Sequence, residues 1–345
     1  MNFILTAVAA IIIFAVMIFV HELGHFIAAK ALGVKVNEFA LGMGPKILSK
    51  QKGETLYSLR LFPIGGFCSM EGEDEETQDE RSFSRKKPWK RLIILVAGAA
   101  MNILLGFVLL IGIGSVSEGY VEPVVREVVE DSGAMEAGLL PGDEILRANK
   151  RRVNIYEDLS WEVTNNTQEN AVLNLVVERG GKKEEIAITP KNTDGRLTYG
   201  MSFEIGKNTV FKTVRNAAYR TLFYGRVVID SFISLIKGTV PLSQVSGPIG
   251  IVNEIGNAVE TAQKTGVEGI LNLLSLAVLL TINLGVFNLL PVPALDGGRI
   301  LFVIIEMIRR KPVPVDKEAI VHFVGIVILL GLSVLIAFKD IFTIW

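Results

Sequence analysis

The residues with the clearest chemistry stand together near the start of the chain, in His21-Glu22-Leu23-Gly24-His25. Two histidines four positions apart project from one face of a helix, so both imidazoles can reach a single metal ion. Glu22, beside the first of them, is placed to take a proton from a water activated by zinc and to pass it to a leaving amide nitrogen. On a soluble helix the same five residues can also be an exposed face with unrelated polar groups. A hydrolytic zinc site needs a third protein donor and one open position. The one remaining histidine is His322. Asp296 is better placed, in Asn288-Leu-Leu-Pro-Val-Pro-Ala-Leu-Asp-Gly-Gly298. Pro291 and Pro293 interrupt a helix there, and Gly297-Gly298 lets the chain turn at once beyond the carboxylate.

The elements that carry these groups are apolar. Half of the 345 residues are hydrophobic and mean hydropathy is positive, which points to membrane spans. Four stretches qualify: Phe3 through Val20 and on past His25, Leu92–Val116, Ile270–Leu290 and Ile320–Phe338. The first, from Phe3 to Val20, is roughly 27 Å of helix at about 1.5 Å per residue. A signal peptide is the alternative for it, but the basic n-region and small-residue cleavage site that one needs are missing. Beside a membrane core, a glutamate and two histidines are costly and tend to be functional.

Lysine and arginine orient the spans. None precedes the first stretch, whereas Lys30, Lys35, Lys46, Lys50, Lys52, Arg60, Arg81, Arg85, Lys86, Lys87, Lys90 and Arg91 follow it before the second span ends its approach. Arg299, Arg309, Arg310, Lys311 and Lys317 lie between the third and fourth. Both loops are therefore expected in the cytoplasm, and both termini outside. The first and third spans then run inward, which brings the histidine motif and Asp296 to similar depth. Residues 208–240 have apolar residues at helical spacing broken by Lys212, Arg215, Arg220, Arg226, Asp230 and Lys237, which suits a helix lying at the interface. Ser246-Gly-Pro-Ile-Gly-Ile251 is a turn-rich break.

Between spans two and three, Val125 to Leu146 sets Pro141-Gly142-Asp143 between a short helix and a strand, and Ala171–Glu178 and Lys183–Thr189 read as strands. In the first cytoplasmic loop, Leu59 to Met70 alternates around a glycine pair, the pattern of a hairpin or exposed strand edge. The acidic run from Glu71 to Glu80 reads as a solvated, mobile linker. Asn283 and Asn288 are amides within an apolar span. They serve either interhelical hydrogen bonds or the holding of an unwound substrate backbone. Asn288, near the proline break, favours the second. Asn102, in Ala97-Gly-Ala-Ala-Met-Asn102, has small neighbours that suit close helix packing.

Taken together, these residues resemble the site-2 protease family of intramembrane zinc metalloproteases, in the bacterial group of the regulator of sigma-E protease. The resemblance rests on His21–His25, Pro63-Ile-Gly-Gly66, Gly98 to Asn102, Ser246-Gly-Pro-Ile249 and Asn288–Gly298. The segment around Gly142-Asp-Glu-Ile145 resembles a bacterial PDZ domain, of which the chain has room for one. Where the family often has proline after the glycine in the second span, this chain has Ala99. The resemblance implies that His21, His25 and Asp296 bind zinc and that Glu22 is the base. It implies further that Gly65, Gly66 and Phe67 belong to a membrane-dipping β-loop that pairs with extended substrate, with Asn288 helping to hold it.

The expected architecture is a polytopic α-helical membrane protein with four transmembrane helices, a cytoplasmic membrane-associated β-loop and an inserted extracytoplasmic PDZ (α+β) domain. Residues 1–117 and 266–345 form the catalytic membrane halves, 118–203 the PDZ domain, and 204–265 the interfacial helix and Ser-Gly-Pro loop. Expected partners are the bilayer and single-pass membrane proteins already cut by another protease, such as an anti-sigma factor or a remnant signal peptide. A net charge of −1 argues against nucleic acid, and the single cysteine, Cys68, forms no internal disulfide. Two other classes compete. A non-catalytic membrane adaptor with a PDZ domain needs neither Glu22 nor Asp296. A metal transporter calls for carboxylates on several spans, and the other span interiors carry almost none.

Overall fold

The computed structural model describes residues 3–73, 77–165, 171–193, 196–239, 241 and 245–344. The chain divides into two compact units, one formed by Met1–Leu109 with Tyr224–Trp345, the other by Leu110–Phe223.

In the first unit, α1 (Phe3–Ala31) leads into a long antiparallel hairpin, β1 (Val36–Lys52) and β2 (Thr55–Met70), and then α2 (Pro88–Val116) begins. Pro88 opens α2 where a missing N–H deprives the helix of nothing. α5 (Val210–Ile236) begins in the second unit, and after it follow α6 (Pro248–Thr265), α7 (Val267–Leu289), α8 (Asp296–Arg309) and α9 (Val315–Ile344). Four helical stretches are long and apolar enough to cross a membrane: Phe3–Ala31, Pro88–Val116, Val267–Leu289 and Asp316–Phe342. They contain the four apolar runs of the sequence, save Leu290 at the end of the third. A core of Ala29, Val34, Val36, Phe39, Cys68, Met70, Phe83, Ile94, Leu95 and Val303 joins the end of α1, the hairpin base, α2 and α8.

Of the two expectations for Leu59–Met70, a hairpin turn or an exposed strand edge, the structure fits the edge. Lys52 pairs with Thr55 across Gly53, which has φ +62, whereas Gly65 at φ +90 kinks β2 within its own length. In a sequence the two glycine signals look alike. Glu38–Leu41 of β1 is flanked on both sides, by Leu56–Leu59 and by Gly66–Ser69. Among the described residues, Gly66–Ser69 is therefore left as an edge. The acidic run is also more than a solvated linker. Glu71 accepts hydrogen bonds from Lys35 (3.1 Å) and Asn37 (3.1 Å), and Glu73 pairs with Arg299 in the first turn of α8. Residues 74–76 of that run lie outside the described residues.

The Ser-Gly-Pro break opens a helix that hydropathy alone did not mark. Pro248 starts the amphipathic α6, whose Ile255 and Val259 pack on Ala10 of α1 and on Leu273, Leu276 and Leu280 of α7. Gly247, its N-cap, has no side chain to offer. Asp340, near the end of α9 and 3% exposed, does that work across 90 residues of chain, its Oδ2 accepting N–H bonds from Gly247 (2.9 Å) and Gly250 (2.8 Å). A carboxylate at a helix N-terminus satisfies otherwise orphaned donors and meets the positive end of the helix dipole. Asp340→Ala is expected to lower the unfolding midpoint in detergent by several degrees. Asp340→Asn should lower it less, since its carbonyl oxygen still accepts.

The second unit holds β3 (Gly119–Val128), α3 (Gly133–Glu136), β4 (Glu144–Ala148), β5 (Arg151–Arg152), α4 (Tyr156–Asn165), β6 (Leu173–Arg179), β7 (Lys182–Ile188), β8 (Lys191–Thr193), β9 (Arg196–Thr198) and β10 (Met201–Lys207). Its main sheet runs β10-β3-β4-β6-β7, with β5 paired to β4, and β8 and β9 form a separate pair. Alternate residues of β6, Leu173, Leu175 and Val177, are buried with Ile145 and Ile188 beneath α3 and α4, as a half-buried strand requires. Buried Asp143, in the turn before β4, is held by Arg179 through both carboxylate oxygens (2.7 and 2.6 Å). The first two turns of α5 bury Thr213 and Ala217 on one face.

Candidate metal centre

α1 exposes the two histidine side chains to each other because four residues make about one turn. His21 and His25 are buried, 8% and 5% exposed, and their Nε2 atoms lie 3.2 Å apart. Asp296, the first residue of α8, completes the group. Its Oδ2 is 3.2 Å from His21 Nε2 and 3.2 Å from His25 Nε2. The three donor atoms thus form a nearly equilateral triangle. A tetrahedral ion with bonds of about 2.0–2.1 Å holds neighbouring donors roughly 3.3 Å apart, so the triangle has the size a zinc ion needs, with one position left over. Asp296 Oδ2 is buried without a hydrogen bond. Burial works against the charged carboxylate, but the two imidazoles outweigh it and hold the Asp296 carboxyl well below the usual range.

The remaining ring nitrogens are fixed by α2. His25 Nδ1–H donates to the Ile94 carbonyl at 2.9 Å, which leaves the lone pair on Nε2. The amide of Asn102, itself fully buried, lies 3.4 Å from His21 Nδ1. With its nitrogen on that side, Asn102 Oδ1 has no partner. Turned end for end, Oδ1 accepts the Nδ1 proton and again frees Nε2. Sequence reasoning gave Asn102 only a packing role. The available signal was its spacing of four from Gly98, which puts both on the face of α2 turned to the histidines.

Small residues make these approaches possible. A Cβ on Gly24 would stand 2.4 Å from the Ala97 carbonyl, and one on Gly98 only 2.3 Å from His25 Nε2. α7 packs on the same part of α2, with Thr281 Oγ1 donating to the Asn102 carbonyl (3.3 Å) and Gly285 set against Ala99.

Glu22 stays outside the triangle and faces the hairpin instead. A Cβ on Gly66 would lie 3.4 Å from Glu22 Cγ and 3.0 Å from Ile18. Gly65 lies against Met43, and the Phe67 ring sits under the Arg60 guanidinium at 4.8 Å. So the structure brings Gly66 to Glu22, with Gly65 and Phe67 flanking it in β2. Asn288 is half-buried in the last turn of α7, and Asn283, one turn earlier, has a buried carbonyl oxygen without a hydrogen bond. Neither reaches the three donors. His322 is not among the converging donors either; its Nδ1 accepts the Ala294 N–H at 3.0 Å.

Residues 9–332 match Peptidase family M50. The chain belongs to that family. It is 30% identical over 426 residues to the regulator of sigma-W protease RasP of Bacillus subtilis, a match covering 98% of this chain and 99% of that one. It is also 30% identical over 419 residues to the zinc metalloprotease RasP of Geobacillus kaustophilus, with 97% of both chains covered. A candidate zinc metalloprotease of Clostridium perfringens is 37% identical over 338 residues, covering 96% of this chain and 97% of its own. This M50 peptidase is accordingly a membrane zinc metalloprotease of the site-2 type. With four membrane-length helices and a β-rich insertion, its zinc chemistry is carried by a membrane protein.

Proposed function

We propose that the protein hydrolyses a peptide bond within or near the transmembrane segment of single-pass membrane proteins, with His21, His25 and Asp296 holding the zinc and Glu22 moving the proton. The observation that carries this reading is the 3.2 Å triangle of donors on and beside a membrane-length helix, one residue from Glu22. A zinc ion bound there supplies a Lewis acid that acidifies water and polarises a carbonyl. Glu22 takes the proton of the attacking water at its carboxylate and returns it to the departing amide nitrogen. Ile94 keeps the proton of His25 on Nδ1, and Asn102, with its amide oxygen turned to His21, does the same there, so that both Nε2 atoms remain donors.

The substrate is an extended backbone. The edge at Gly66–Ser69 is free to add a strand, and strand addition would lay the scissile region along β2, beside Glu22. Gly65 and Gly66 keep side chains out of that approach, and Phe67 gives it an apolar border. Asn288, with Asn283 behind it, holds the unwound substrate backbone from the α7 side. The excess of Lys and Arg in the loops after α1 and before α9 supports a cytoplasm-facing site, with both termini outside.

Residues 118–203 are read as a single extracytoplasmic PDZ domain. A groove of about 930 Å³ between α4 and the strand Met201–Phe203, lined by Leu159, Val163, Tyr199 and Gly200, supports capture of a chain end exposed by an earlier cut. Anti-sigma factors and remnant signal peptides fit this description, and a relative named as a regulator of sigma-W favours the first. The test compares membrane proteomes of cells with wild-type protein and with Glu22→Gln. Single-pass fragments that build up only with the variant support the proposal. Identical proteomes, with the variant stably inserted, would refute it.

A further inference from the structure

Asp296 is delivered by a short loop that holds two prolines. α7 ends at Leu289 and α8 begins at Asp296, and between them Pro291 and Pro293 bring no backbone N–H. Leu295, the N-cap of α8, offers its first turn no side chain. Ala294 has φ +77, a left-handed conformation that is unfavourable for any residue with a Cβ and persists only where the surroundings over-determine it. This strained residue stands two positions before the carboxylate.

α9 supplies the surroundings. His322 Nδ1 accepts the Ala294 N–H at 3.0 Å, and its side chain is only 14% exposed. The same ring abuts α8, where a Cβ on Gly298 would lie 3.2 Å from His322 Cε1, and the Phe302 ring stands 5.8 Å away. Three residues along α9, Gly325 lets the helix close on Pro293, for a Cβ there would come 2.4 Å from the Pro293 Cβ and 2.9 Å from its carbonyl oxygen. Residues 293, 294, 298 and 302, on both sides of Asp296, are thus braced by one turn of one helix.

We propose that His322, seated by Gly325, is a positioning residue for Asp296, acting through the loop backbone and touching neither metal nor substrate. The inference rests on reading Asp296 as the third zinc donor. In the acceptor role His322 is neutral with its proton on Nε2, the side facing Glu318 (3.8 Å).

The test uses full-length protein in detergent, with zinc retention against a graded chelator as the main readout and reporter cleavage and the unfolding midpoint alongside. His322→Leu removes the acceptor and is expected to weaken zinc retention about 10–100-fold, the usual effect of losing a partner that orients a ligand, and to lower kcat with little change in KM. His322→Asn places an oxygen near the position of Nδ1 and should restore retention to within a few-fold of wild type. Ala294→Gly in the His322→Leu background relieves the left-handed strain and should recover part of the loss. Wild-type retention in His322→Leu overturns the proposal, as does an Asn variant that fails like Leu with an equal fall in midpoint. Should His322→Leu not fold, Gly325→Ala is expected to weaken retention in its place, and wild-type retention there is equally fatal. Asp296→Ala is the control. If it keeps its zinc, the reading of Asp296 falls; if it alone loses zinc, only the role of His322 falls.

Discussion

Glu22→Gln should abolish proteolysis while the purified protein keeps its zinc. The substitution preserves shape and removes the carboxylate proposed to shuttle the proton. A positioned acid–base is worth about 10²–10⁴-fold in rate, and more is lost when a single residue serves both transfers. Zinc is expected to stay because the three groups that could hold it, His21, His25 and Asp296, do not include Glu22. The measurement pairs initial rates on a single-pass reporter in proteoliposomes with metal analysis of the same samples. Cleavage within ten-fold of wild type would remove Glu22 from the mechanism, and loss of zinc would make it a ligand.

Gly98→Ala is the substitution with the next largest expected effect, although it adds one methyl group and removes no polar atom. That methyl would sit 2.3 Å from His25 Nε2, against the ring that Ile94 pins at its other nitrogen. The ring cannot turn aside without giving up that bond, and α2 cannot retreat without losing the contact of Ala97 with Gly24. Zinc occupancy after chelator challenge is expected to fall at least ten-fold, and cleavage with it. Gly112→Ala on the same helix, where an added Cβ meets nothing within 4 Å, should leave both unchanged. A Gly98→Ala protein with wild-type zinc and activity would mean that α2 does not set the position of His25.

How much of this could be read from the chain follows from the range of each interaction. The histidine pair is local, four residues on one helix, and its spacing alone predicts a shared ion. Asp296, 271 residues from His25, was singled out because span counting and charge put both at one expected depth, and the structure brings its carboxylate to the two histidines. The proline pair and following glycines also marked an abrupt helix break at the right place. The contacts that orient the ligands were not legible. Asn102 and His21 meet only because α2 presents that face to α1, and a rotation of either helix would make the amide a packing residue, as its small neighbours suggested. His322 looked like a spare ligand or an interfacial histidine, since nothing in α9 shows that its ring closes a bond to Ala294. α6 was hidden for a different reason: it is too polar for a hydropathy peak, and the residue that caps it, Asp340, is far away in sequence. Of the two readings of Leu59–Met70, a hairpin or an exposed strand edge, the second fits Gly66–Ser69, and the turn itself lies at Gly53, because a positive φ inside a strand and one at a turn leave the same signature.

Zinc K-edge X-ray absorption on the purified full-length protein tests the central claim most directly. The account predicts a first shell of two imidazole nitrogens and one carboxylate oxygen at about 2.0–2.1 Å, with a fourth light atom and no sulfur, and the loss of one imidazole in His25→Ala. A sulfur shell near 2.3 Å, implicating Cys68, or a zinc site unchanged by His25→Ala, would contradict it.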